Sequence, residues 1–170
     1  FKKANPERLE IGISLVSVGI RRGGPEIQDP RINSLSKHNC ISACIEADNK
    51  GGDEGLMMDP HGFVSTCNST HFFMVKGGEV WTSTGEYCLD GITRSKVIQL
   101  CHENQIPFKL CNFTFEDVHS ADEAFVTGTF AGLTPVNSFD GATLGDGKRG
   151  PICERLQNLY IDLVKGEKIV

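Results

Sequence analysis

Apolar and polar positions change rhythm several times along this chain, and each change marks an element. Residues 9–20, Leu-Glu-Ile-Gly-Ile-Ser-Leu-Val-Ser-Val-Gly-Ile, alternate or run apolar with β-branched side chains, which predicts one or two strands; Arg21-Arg22-Gly-Gly-Pro then breaks the run. Over residues 36–50, Cys40, Ile41, Cys44, Ile45 and Ala47 recur at helical spacing and Gly51 supplies the stop, so an amphipathic helix with those residues as its apolar face is expected. From residue 54 the pattern becomes short strands with punctuation: 54–59, the Pro60-His61-Gly62 turn, 63–66, 71–76, then Gly77-Gly78 and Glu79-Val-Trp-Thr-Ser, an antiparallel meander. A helix running to about His102 carries Val97, Ile98 and Cys101 on one face, and Pro107 precedes a strand over about 108–114. A helical turn at 115–120 with acids at its start leads to a strand over 123–129, and Asp140-Gly141 and Gly145-Asp-Gly147 punctuate the loops that follow. Pro151 opens a last helix whose apolar face is Ile152, Leu156, Leu159, Tyr160, Leu163 and Val164, with Gly166 ending it. Strands outnumber helices, and the helices are interspersed among antiparallel pairs, so the class is α+β. Without internal repeats or a hinge-like linker, residues 1–170 read as one domain.

Composition narrows the function classes. The 170 residues, 39% hydrophobic and 23% charged, are enough for one substantial core. The formal charge of -5 comes from scattered acids, and the basic residues are scattered too, which favours neither nucleic acid nor a membrane surface as a partner. No apolar run reaches the roughly 18 residues of a membrane span, and nothing at the N-terminus looks like a signal peptide. A chain that begins at Phe1 is expected to be a processed product or a fragment, from which a targeting segment could already be gone. Seven cysteines without a framework of spacings read as reduced thiols of an intracellular protein, in the cytoplasm or an organelle. Cys40 and Cys44 stand one helical turn apart and could share a metal, but no second pair of ligands has a useful spacing; buried packing is expected for both, and no metal. Asn68-Ser-Thr and Asn112-Phe-Thr fit the glycosylation pattern, which matters only in a secreted chain.

One stretch carries candidate chemistry. Tyr87-Cys-Leu-Asp-Gly-Ile-Thr-Arg reads as a turn opening into a helix N-terminus. Gly91 lets the backbone approach a ligand, the amides of Ile92 and Thr93 are unpaired donors, and the Thr93 hydroxyl adds another, which is how a chain cradles phosphate. The same Gly-x-Thr also reads as an ordinary helix cap.

With these landmarks in order, the chain resembles the large, C-terminal domain of the fold-type IV pyridoxal-phosphate enzymes: branched-chain and D-amino-acid aminotransferases, R-selective amine transaminases and aminodeoxychorismate lyase. The resemblance extends from about residue 15 over nearly the whole chain. It rests on Asp-Glu-Gly-Leu-Met-Met-Asp at 53–59, Gly-Phe-Val at 62–64, Leu-Asp-Gly-Ile-Thr-Arg at 89–94, Ala-Asp-Glu-Ala-Phe-Val-Thr-Gly-Thr at 121–129, Thr-Pro-Val at 134–136 and Gly-Pro-Ile at 150–152. It implies a mixed, mainly antiparallel pseudo-barrel with peripheral helices, pyridoxal 5'-phosphate as cofactor, and transfer of an amino group between an amino acid and a 2-oxo acid. It also implies roles for residues. Leu89 would pack on the cofactor ring, and Gly91, Ile92 and Thr93 would hold its phosphate. Gly128, Thr129 and the amide of Phe130 would help bind phosphate and the substrate carboxylate. The family's smaller N-terminal domain, which contributes a phosphate-binding arginine and a wall of the pocket, has no counterpart in this sequence; Arg21 or Arg22 could partly substitute, or simply be exposed. A homodimer or membership of a larger assembly follows from the same resemblance.

The pattern departs from the family at the positions that matter most for chemistry. Asn33 falls in the ungapped register of the Schiff-base lysine, and asparagine cannot form that bond. Lys37, four residues on, takes the role if the loop is shortened by about one turn; otherwise it is a solvated lysine on the first turn of a helix. After Gly-Phe-Val, Thr66 replaces the glutamate that pairs with the pyridine nitrogen, and a hydroxyl offers only a neutral hydrogen bond. His71 stands where the family usually has asparagine, and is expected to be packed or on the surface rather than an acid or base. A catalytically silent homologue, kept as a structural or ligand-binding subunit, is therefore the alternative to a transaminase.

Overall fold

The computed structural model describes residues 7–166. In chain order the elements are α1 (Arg8–Ile11), β1 (Ile13–Ser17), α2 (His38–Asn49), β2 (Glu54–Met58), β3 (Val64–Cys67), β4 (His71–Lys76), β5 (Glu79–Thr82), α3 (Ile92–Glu103), β6 (Phe108–Leu110), α4 (Phe115–His119), β7 (Glu123–Gly128), β8 (Gly132–Phe139), β9 (Ala142–Thr143) and α5 (Pro151–Gly166). The strands form one nine-stranded sheet in the order β3-β2-β1-β8-β7-β4-β5-β6, with β9 beside β8. β1 runs parallel to β2 and β8, and β5 to β6; the remaining pairs are antiparallel. The sheet curls until its two edges meet, where the Val64 N–H of β3 donates to the Phe113 carbonyl just past β6 at 2.8 Å. This is the mixed pseudo-barrel with peripheral helices that the resemblance implied.

Side chains of a strand alternate between faces, and here both faces of the central pair β4 and β7 are buried. Phe72, Met74, Ala124 and Val126 fill the inside of the curl with Leu15, Leu56, Val64, Phe113, Val136 and Phe139. Phe73, Val75 and Phe125 face the other way and pack with Val97, Leu100 and Cys101 of α3 and Cys153 and Leu156 of α5. Phe73 and Phe125 are opposite one another in the ladder, and their rings stack 5.1 Å apart. Removing each such phenylalanine from water contributes about 2–3 kcal/mol.

Several elements differ from the sequence reading. The 9–20 stretch begins as a helical turn, α1; Gly12 at φ 87° breaks it, and the strand occupies only Ile13–Ser17. On α2 the face toward the sheet is Ala43 and Ala47, packed with Val16, Val18 and Met57, while Cys44, Ile41 and Ile45 are exposed, the last two by 59% and 58%. Close approach explains the choice: Gly55 of β2 lies under α2, and a Cβ there would stand 3.1 Å from the Ala43 carbonyl, so only alanines fit the seam. Buried packing therefore does not hold for Cys44. Val164 of α5, expected inward, is 53% exposed. β8 carries no strand signal in the sequence because Pro135 interrupts it. It is accommodated because pairing with β1 starts only at Val136, beyond the proline, and shifts register between Ile13 and Ser14.

The last helix depends on a buried acid. Glu123 of β7, 9% exposed, accepts from the N–H groups of Ile152 at 3.1 Å and Cys153 at 2.9 Å, satisfying two donors at the N-terminus of α5. Glu123→Ala should lower stability by about 1–2 kcal/mol, the usual loss for a helix cap, read as a shift in the urea midpoint with unchanged slope. A shift of only a few tenths would mean that water replaces the carboxylate.

Candidate functional site

The ladders bring the start of β4, the end of β5 and the hairpin between β7 and β8 to one end of the sheet, where Phe73 pairs with Thr82, His71 with Thr127, and Gly128 with Gly132. Residues 83–91 leave β5 there and enter α3. Gly91 is the N-cap in extended conformation, at φ -70° and ψ 133°, and no side chain caps the helix. The first N–H groups of this 12-residue helix thus have no intrahelical partner and carry the positive end of its dipole. Thr93 in that first turn is 3% exposed, and its Oγ1 has no hydrogen-bond partner. A buried hydroxyl left unpaired costs about 1–3 kcal/mol, and this one belongs to the first turn of a helix whose leading amides have no intrahelical partner. Glycine at 91 is not demanded by its φ, and a Cβ there would meet nothing nearer than the Arg94 Cβ at 3.6 Å. Leu89 is partly buried and the Ile92 side chain is 72% exposed, so Ile92 offers its backbone.

The loop is held from beneath and from the side. Arg94, only 7% exposed, donates from Nη2 to the Ser83 carbonyl at 2.9 Å and from Nε to His71 Nε2 at 3.2 Å. Ser83 Oγ donates to the Ser65 carbonyl at 2.7 Å. The Tyr87 carbonyl accepts from Ser65 Oγ at 3.0 Å and Arg22 Nε at 3.1 Å, and the same Arg22 reaches Cys40 Sγ of α2 at 2.9 Å. Arg21 instead donates to the Asp59 and Pro60 carbonyls.

A guanidinium N–H can only donate, so the Arg94 contact makes His71 Nε2 an acceptor; the Thr82 hydroxyl, 2.7 Å from the same nitrogen, then gives its one hydrogen there rather than to the Phe72 carbonyl, and the ring proton sits on Nδ1, 3.4 Å from Thr66 Oγ1. Thr66, 7% exposed, gives its own hydrogen to the Thr70 carbonyl at 2.9 Å. Burial, with a further push from Arg94, lowers the His71 pKa to about 3, so the ring is neutral. His71 is a packed histidine, as the sequence reading expected.

The other expected residues fall nearby but not all together. Gly128, Thr129 and Phe130 line a cavity of about 360 Å³ with Glu54, Thr70 and Val126, which Leu89 and 91–93 do not line. Burial raises the Glu54 pKa, partly offset by hydrogen bonds from Thr70 and Ser69. Lys37 is the residue before α2, and its Nζ donates to Asn33 Oδ1 at 2.7 Å, both residues exposed. Cys40 of α2, the helix that their loop enters, is tied through Arg22 to the Tyr87 carbonyl. Among the described residues no group of three or more His, Cys, Asp or Glu is placed to hold a metal. The sequence reading missed Arg94 and Thr127. Thr127 faces the same side of the sheet as its ladder partner His71, and its buried Oγ1 also lacks a partner. The alternation of β7 was the available signal for it; nothing local announces that Arg94 points inward.

A curled α+β sheet whose covering helix α3 starts uncapped, with an unpartnered buried hydroxyl in its first turn, is the class this geometry defines. The amino-transferase class IV family model matches residues 2–139, and the chain belongs to that family. It is 40% identical over 158 residues to the branched-chain-amino-acid aminotransferase-like protein 2 of Arabidopsis thaliana, covering 93% of this chain and 28% of the relative. With the branched-chain-amino-acid aminotransferase of Pseudomonas aeruginosa it shares 37% over 162 residues, covering 95% of this chain and 53% of the relative. Among solved structures, the branched-chain amino acid aminotransferase of Thermobaculum terrenum in its PLP form superposes with a TM-score of 0.90 at 28% identity, covering 98% of this chain and 55% of that one. The branched-chain aminotransferase of Thermoproteus uzoniensis with norvaline gives 0.86 at 31% identity, covering 92% and 52%. The chain therefore spans from about a quarter to just over half the length of these relatives.

The His71 shift sets a pH dependence. Its pKa is depressed from 6.5 to about 3 on folding, so the unfolded chain binds the extra proton; the stabilisation is present above pH 6.5 and lost as pH falls toward 3. Between pH 7 and 5 the loss should be about 2 kcal/mol at roughly 1.4 kcal/mol per unit. Urea unfolding of wild type against His71→Asn should show it as a difference that shrinks at pH 5. Parallel pH profiles for the two would show that the ring is not buried neutral.

Proposed function

We propose that this chain is the large, C-terminal domain of a pyridoxal 5'-phosphate-dependent aminotransferase that moves an amino group between an amino acid, of branched-chain or D-amino-acid type, and a 2-oxo acid. The observation that carries the reading is the unpartnered, buried Thr93 hydroxyl at the uncapped N-terminus of α3, an arrangement with the geometry and donors of a phosphate site. When bound, the cofactor supplies an electron sink for the electrons of a bond broken at the substrate's α carbon. The chain's residues do the rest. The amides of Ile92 and Thr93 and the Thr93 hydroxyl hold phosphate past Gly91, and Leu89 lies against the ring. Gly128, Thr129 and the Phe130 amide take phosphate and the substrate carboxylate. Lys37 is the amine that holds the cofactor and moves the proton at the α carbon, which requires it to leave Asn33. Thr66 faces the ring nitrogen with a hydroxyl whose one hydrogen is engaged by Thr70, so it cannot keep that nitrogen protonated, and transamination is slow.

A smaller N-terminal domain and a second subunit complete the pocket in this reading. Ile27, Ile32, Leu35, Ile92 and Phe130 are each more than half exposed, and relatives of about twice the length support it. The free thiols support an intracellular setting. A second reading, a silent homologue that binds the cofactor or a related phosphate without turnover, is favoured by the Lys37 to Asn33 hydrogen bond and by Thr66 in place of an acid.

Borohydride treatment of the full-length protein with pyridoxal phosphate, followed by peptide mapping, separates the two. Label is expected on Lys37, and Lys37→Ala should abolish it while leaving the melting temperature within about 2 °C, as for an exposed surface change. Absence of label on every lysine would sink the transaminase reading.

A further inference from the structure

Among the described arginines, Arg8, Arg31 and Arg149 each pair with a carboxylate, Arg21 and Arg155 donate to carbonyls elsewhere, and Arg22 and Arg94 likewise have no carboxylate. Both donate instead to carbonyls of the loop that leads into α3, Arg94 to Ser83 from beneath and Arg22 to Tyr87 from the side. Taking a guanidinium out of water without a counter-charge is costly, and Arg94 is nearly fully buried. Its other partner, His71, is neutral and serves only as an acceptor, so it holds the guanidinium in place without cancelling its charge. The field of both arginines reaches the loop: burial pushes the Cys88 thiol up, while Arg94 and then Arg22 pull it down.

We propose that Arg94, held by His71 and assisted by Arg22, is the positive charge that backs the phosphate cradle of α3, so that a phosphate dianion at Gly91–Thr93 supplies the counter-charge the chain withholds. This rests on the cofactor reading above. Arg94 is a positioning and electrostatic residue: it touches the loop, and acts on the anion through the first turn of α3. Gly85 fits this role, since a Cβ there would stand 3.1 Å from Arg94 Nη2 and press on the guanidinium.

The test compares pyridoxamine 5'-phosphate with pyridoxamine, which lacks the phosphate, by calorimetric titration of the full-length protein. Arg94→Gln removes the charge; Arg94→Lys keeps it. His71→Glu leaves Arg94 in place but sets a carboxylate against it, and His71→Asn preserves a neutral acceptor. Arg94→Gln and His71→Glu should each weaken the phosphorylated ligand by on the order of tenfold relative to pyridoxamine, with the gap closing as salt is raised. Arg94→Lys and His71→Asn should stay within about threefold of wild type. A purely structural role would weaken both ligands alike in Arg94→Gln and leave His71→Glu no worse than His71→Asn; that result, or no effect on either ligand, overturns the proposal while the cofactor reading survives. Wild type that binds neither ligand overturns the cofactor reading and this proposal with it.

Discussion

Burial of β4 and β7 on both faces is the constraint from which the rest of the molecule follows. A strand with apolar residues at every position needs cover on both sides. The curl of the sheet supplies one cover and α3 with α5 the other. The covering helix α3 has to return across the sheet from the end of β5, and so its N-terminus lies at the end where His71 and Thr127 finish the apolar ladder. Polar residues begin where the cover ends. Packing thus decides where the N-terminus of α3 stands before any ligand is considered.

The loop of residues 83–91 bridges the two edges of the curled sheet, and its conformation is set by carbonyls rather than by side-chain packing. Ser83 and Tyr87 accept from Arg94, Arg22 and Ser65, and Ser83 returns a hydroxyl to Ser65 on the far edge strand. These bonds tie the loop that enters α3 to the edge strand β3, which also carries the Val64 to Phe113 bond that closes the pseudo-barrel. Arg22 also reaches Cys40, which joins the start of α2, and with it the loop of Asn33 and Lys37, to the same set.

What was legible in the sequence was local. Alternation, turn residues and Pro151 placed most strands, α5 and the Gly91 helix start, because each of those signals acts within a few residues. What failed depended on partners far along the chain. Ile41 and Ile45 satisfy helical periodicity, yet α2 turns its alanines inward because Gly55 lets the two backbones approach. Pro135 hid β8 because the strand it fails to serve, β1, lies more than a hundred residues earlier and starts its pairing one residue later. Asn33, Lys37 and Thr66 could be singled out only through a family resemblance, since nothing in their own spacing marks chemistry. Arg94 ends a motif that was noticed, but its inward course is a matter of tertiary structure.

The departure at Thr66 has a physical sense beside His71. A glutamate at position 66 would stand next to a ring whose Nδ1–H now points at Thr66 Oγ1, within the same buried cluster as Arg94. There its carboxylate would compete for the buried Arg94 guanidinium, which has no acid. With threonine at 66 the cluster is neutral apart from Arg94, and the positive charge stays directed at the loop. In the proposed reading, threonine in place of an acid would weaken a contact that depends on a charged ring nitrogen and leave the phosphate end unchanged. In the proposed reading such a site would hold a phosphorylated ring more readily than activate it, and the hydrogen bond that engages Lys37 with Asn33 bears on that balance.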